Sequence, residues 1–127
     1  MNRIVPVIAG CVLVCSNVMA AKLTCASDPD TDKRMCFLDD GLRASTDKKV
    51  REFRFFSGGP KALDDSGYTA RVFCDPKFVP VIEMRDRRGV VFARNQAATK
   101  AARDLTTFVC EHAKLTIDKT LDTVTRY

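Results

Sequence analysis

Four cysteines set the terms on which this chain can fold. Cys25, Cys36, Cys74 and Cys110 follow an apolar leader and are spread over most of what remains. An even number of cysteines in a small exported domain predicts two disulfides, because an oxidising compartment keeps thiols paired. Of the three pairings open to four cysteines, the expected one joins Cys25 to Cys36, stapling the N-terminal segment, and Cys74 to Cys110, pinning a helix to the end of a strand. Zinc is the weaker reading. There is no C-x-x-C pair, and the single histidine, His112, lies two residues from a cysteine rather than at finger-like spacing.

The case for export rests on the opening MNRIVPVIAGCVLVCSNVMA, with one cation at Arg3, an apolar run from Ile4 to Cys15, and Val18 and Ala20 at the −3 and −1 sites. These are the parts of a secretory signal. The run is too short to span a bilayer, which needs about 20 apolar residues. Cleavage is expected after Ala20, leaving residues 21–127 as a single disulfide-stabilised domain, soluble in the periplasm or outside the cell. A competing reading takes Ile8-Ala9-Gly10-Cys11, which resembles the lipobox of bacterial lipoproteins, and would lipidate Cys11 and anchor the chain to a membrane. Against it, Val12 to Cys15 would be left as an apolar stretch on the mature protein.

Loss of the leader removes one arginine, so the formal charge falls from +5 to +4, with 20 Lys plus Arg against 16 Asp plus Glu. The 107 residues left when 20 are taken from 127 fit one domain with one core. No repeat or low-complexity stretch interrupts them.

Patterning predicts an α+β fold of about four antiparallel strands, a long C-terminal helix packed on one face, and a short N-terminal helical segment. That segment is expected over Lys33 to Asp40, capped by Thr31 or Asp32 and stopped by Gly41, with Met35, Leu38 and Leu42 inward. Phe53 and Phe55 alternate with charges as on a half-buried strand. After an Asp64-Asp65-Ser66-Gly67 turn, Tyr68, Ala70, Val72 and Cys74 share one face of the next. Asp86-Arg87-Arg88-Gly89 suits a type I turn followed by a left-handed glycine. That register sets Asp86 opposite Val90, Met84 opposite Phe92 and Ile82 opposite Arg94, with Ile82, Met84 and Phe92 lining the core. From Gln96 the period changes to 3.6: Ala98, Ala102, Leu105, Val109 and Ala113, widened by Ala101 and Phe108, form the stripe of a helix capped by Asn95 and running to about Lys114. Beyond it, TIDKTLDTVTRY reads equally as a broken helix or an ordered tail.

Three features bear on chemistry. DPDTDKRMCFLD, from Asp28 to Asp39, sets four carboxylates at offsets approaching a calcium loop. Lys33 stands where that loop needs its glycine, Pro29 stiffens the second position, and no entering helix fits ahead of it; a capped acidic turn is the favoured reading. A secreted nuclease would use Glu83 as base and His112 as acid, with Arg71, Arg85 and Arg94 on phosphate. His112, however, sits on the helix expected to cover the other sheet face. The third feature is a basic patch of Arg85, Arg87, Arg88 and Arg94 around the hairpin, able to attract an anionic partner or simply solvate an edge. No nucleophile elbow, P-loop or cofactor motif is present.

The expectation is therefore an exported, non-enzymatic protein-binding or cell-envelope accessory module, with the basic nuclease as its alternative. No cofactor is implied. The partner expected is another protein of the envelope or exterior. Nucleic acid is disfavoured, because acidic and basic ends on one molecule suit a protein contact better than a polyanion.

Overall fold

The computed structural model describes residues 22–59, 62–75 and 80–126; the leader with Cys11 lies outside them. Strands β1 (Leu23–Ser27), β2 (Arg34–Leu38), β3 (Arg43–Ala44), β4 (Val50–Gly58), β5 (Leu63–Phe73), β6 (Val81–Arg85) and β7 (Val91–Gln96) precede helix α1 (Lys100–Glu111), strand β8 (Thr116–Ile117) and a 3₁₀ turn (Lys119–Thr123). All eight strands join one sheet in the order β1-β2-β4-β5-β6-β7, while β3 pairs with β4 and with β8. All pairings are antiparallel except that of β3 with β8. This overturns the expectation of about four strands with two helical segments: the described residues form a mostly antiparallel sheet with one helix and one 3₁₀ turn.

The N-terminal segment shows why. Met35 and Leu38 stand at helical spacing, but Met35 and Phe37 stand two apart, and it is this period that the fold uses. Arg34–Leu38 is a strand paired with Leu23–Ser27, setting Cys25 directly across from Cys36 with their Cα atoms 4.1 Å apart. Asp32, expected as a helix cap, instead takes a left-handed conformation (φ 57°) in the β1–β2 loop. The second disulfide joins Cys74, just past β5, to Cys110 of α1.

One face of the sheet carries the main core. Phe37, Phe53, Phe55, Ala70, Val72 and Ile82 meet Ala101, Leu105 and Val109 of α1, each large apolar group contributing about 1.5–3 kcal/mol by leaving water. The helix stripe is 101-105-109 with Ala102 and Thr106 beside it; Ala98 and Ala113 fall outside the helix, and Phe108 is 39% exposed. The helix begins later than expected because Asn95 and Gln96 complete β7, so Thr99 is the N-cap, its Oγ1 accepting from the Ala102 N–H.

Side chains from the β1–β2 loop and from β4 hold the two ends of α1. Asp28 Oδ1 accepts from the Ala101 N–H at 2.9 Å. Arg51, on buried β4, donates Nη1 to the Val109 and His112 carbonyls at 2.7 and 2.9 Å, and Nε to the Lys48 carbonyl. A carboxylate at the N-terminus and a guanidinium at the C-terminus match the helix dipole.

Two bulges shift the expected register. The Asp64–Gly67 turn signal is instead part of β5: Arg54 faces Thr69 and Phe56 faces Asp65, so Ser66, Gly67 and Tyr68 bulge out opposite Phe55. Gly67 takes φ +75° there, the Asp65 carboxylate accepts its N–H, and Ser66 Oγ donates to the Phe55 carbonyl. In the β6–β7 hairpin the expected turn forms, with Gly89 at φ +83° and Asp86 bonded to Val90. A bulge at Phe92 then moves the register by one, so Met84 faces Ala93 and Ile82 faces Asn95. Phe92, expected in the core, is 54% exposed and rests on Tyr68 with ring centroids 4.9 Å apart.

Candidate functional site

Among the described residues, the sheet face away from α1 is covered at one end, where Leu121 and Val124 of the C-terminal segment pack on Val50, Phe73 and Val81. Over the middle, no described element lies across it. Strand alternation sends Glu52 and Arg54 of β4, Thr69 and Arg71 of β5, and Glu83 and Arg85 of β6 to this side.

Register then lines up a row across five strands. Arg43 faces Glu52, Glu52 faces Arg71, Arg71 faces Glu83, and Glu83 faces Arg94. The two glutamates are buried beneath the arginines. Glu52 pairs with Arg43 and, at 2.7 Å, with Arg71. Glu83 pairs with Arg85 at 2.9 Å, Arg94 at 3.2 Å and Arg71 at 3.9 Å. Arg43 also reaches Asp118 at 2.6 Å, and Arg54 reaches Asp65 at 2.7 Å. Each guanidinium has five donors in a rigid fork, so these bonds fix its plane.

The hairpin patch is accordingly divided. Arg85 and Arg94 belong to the row through Glu83. Arg87 lies back across the β5 bulge, its Nη2 donating to the Ser66 carbonyl at 3.4 Å, and a Cβ on Gly67 would run into its Nε. Arg88 is exposed at the tip, in the field of Asp86. Sequence reasoning grouped Arg71, Glu83, Arg85 and Arg94 but missed Arg43, Glu52 and Arg54. The alternation of charges with phenylalanines in Val50-Arg51-Glu52-Phe53-Arg54 marks the strand; only the strand order shows which charges meet.

The nuclease pair does not converge. His112 lies on the helix side, donating Nε2–H to the Asp39 carbonyl at 2.7 Å with its ring edge-on to Phe37. Glu83 faces the other way, and the sheet stands between them. The acidic stretch is likewise taken apart. Asp28 caps α1, whereas Asp39, at the other end of the β1–β2 hairpin, accepts from the Thr24 hydroxyl. Strands of five residues separate those carboxylates by about 17 Å. Among the described residues no group of three or more His, Cys, Asp or Glu side chains is placed to hold a metal ion.

Several aspartates at the surface or half-buried are held below the usual carboxylate range. Arg126 acts on Asp47, Arg54 on Asp65, the Val90 N–H on Asp86, the Thr120 hydroxyl on Asp118, and the Thr46 hydroxyl on Asp122. A carboxylate lowered on folding adds stability that is complete above its unfolded value, about 3.9, and is lost as pH falls through the lower folded value. The melting temperature should therefore stay level from neutrality to about pH 5 and decline below about pH 4. A melting temperature that rises on acidification through that range would contradict these contacts.

No protein-family model, curated protein or solved structure matches this chain.

Proposed function

We propose that this chain is an exported, non-catalytic module that binds a partner protein through the open face of its sheet. The observation that supports this is the row Arg43-Glu52-Arg71-Glu83-Arg94, whose guanidinium groups are set in place by buried carboxylates before any partner arrives. Groups ordered in advance bind without the entropy cost of ordering them, and arginine is among the residues that dominate protein interfaces. The site of action we favour is the periplasm or the exterior of a bacterial cell. Two disulfides fit an oxidising compartment, and no helix among the described residues is long and apolar enough to cross a membrane.

Photo-crosslinking in the producing cell tests this. A benzoylphenylalanine at Thr69, on the open face, should yield a discrete adduct, while one at Thr107, on the exposed side of α1, should not. Equal adducts from both positions, or none from Thr69, would overturn the reading. RNA should remain intact with the purified protein; cleavage that His112→Asn abolishes would put the nuclease in its place.

A further inference from the structure

The open face is not flat, and its relief points to the chemistry of the partner. Two cavities of about 220 and 240 Å³ adjoin one another there and share Glu52, Gly67 and Thr69. Together they make a trough along the β5 bulge. Arg43 and Arg54 border one half, and Arg71, Arg85, Asp86 and Arg87 border the other. Each half is smaller than the roughly 300–1,000 Å³ of pockets that enclose whole small molecules, and is of a size for single side chains.

Resting on the protein-binding reading, we propose that this trough receives acidic side chains from an extended segment of the partner. Charge supports that occupant. Arg43, Arg54, Arg71, Arg85, Arg87 and Arg94 stand against Glu52, Glu83, Asp65, Asp86 and Asp118, six cations against five carboxylates, which leaves the face at +1. Arg88 at the hairpin tip lines neither half of the trough. Arg54 holds Asp65, and Arg85 holds Glu83, through Nε and Nη2, so a carboxylate entering from outside would be met by the outer Nη N–H groups. A nucleic acid is served less well. Its affinity comes from many unneutralised cations along a phosphate track, and single strands add aromatic stacking. Here the arginines alternate with carboxylates, and the exposed rings of Tyr68 and Phe92 lie against each other at a tilt of 59° and line neither half of the trough.

Gly67 is what opens the trough. Its φ of +75° makes the bulge, and the missing Cβ lets Arg87 lie against the strand. A side chain there would push Arg87 off the rim.

The test uses the mature, disulfide-bonded protein with a synthetic Glu-Ser repeat peptide, a Lys-Ser repeat peptide and a single-stranded oligonucleotide, read by calorimetry and by amide and arginine Nε–H shifts. The Glu-Ser peptide alone should bind, weakening with salt and shifting Gly67, Thr69, Arg54 and Arg87. Arg54→Ala and Arg87→Ala should each lower affinity by about tenfold, the worth of one charge-assisted hydrogen bond, with little change in melting temperature because both side chains are exposed. Unchanged affinity in both variants, shifts confined to another surface, or tighter binding of the oligonucleotide would each overturn the inference. A Thr69 crosslink together with no binding of the Glu-Ser peptide would sink the acidic segment while leaving the protein-binding reading in place.

Discussion

Replacing Glu83 with alanine is expected to destabilise the fold by about 3–5 kcal/mol, the usual cost of removing one partner from a buried ionic group. For a domain of this size that lowers the melting temperature by roughly 12 °C or more. Glu83 is 2% exposed and faces three guanidinium groups. Without it, Arg71, Arg85 and Arg94 repel one another over a hole in the sheet. Arg94→Ala supplies the control: its side chain is 43% exposed, Glu83 keeps Arg71 and Arg85, and the loss should stay below about 1 kcal/mol. Urea unfolding of both variants checks this, and equal losses would show that Glu83 is not the hub of the row.

The second large effect is expected at Cys74 and Cys110. Their bond closes 36 residues of chain, and the entropy it removes from the unfolded state is worth about 4 kcal/mol. The Cys25–Cys36 bond closes only 11, which the same relation puts at about 3 kcal/mol. Paired alanine substitutions should therefore rank with Cys74/Cys110 as the more damaging. The native contacts act in the same direction, since the longer bond ties α1 to the sheet whereas the shorter one joins strands that already pair. The reverse ranking in urea midpoints would mean that the N-terminal hairpin depends on its staple more than on its ladder.

What the sequence made legible was local and apolar. The type I turn with Gly89, the shared face of Ala70 and Val72, and a helix through Leu105 and Val109 can all be read from spacing within a dozen residues. What it concealed depended on pairing. Phe92 read as core because one bulged residue changes the register of everything after it. Met35-Cys36-Phe37-Leu38 satisfies helical and strand periods alike over so short a run. Arg43 and Glu52 meet only because β3 docks beside β4. The Asp64–Gly67 signal was real turn chemistry, with a left-handed glycine and an aspartate accepting its N–H, but the chain spends it on a bulge within β5.

The matched charges at the two ends of α1 carry a dynamic consequence. Fraying usually begins at helix termini, where amides and carbonyls lack partners. Here Asp28 of the β1–β2 loop occupies the first turn and Arg51 of β4 the last. The helix cannot loosen from either end without giving up a contact to the β1–β2 loop or to β4, so its amides should exchange with solvent together with those of β4, as one cooperative unit. Helix and sheet then share a single opening event, and the arginine face would keep its shape until the whole domain unfolds.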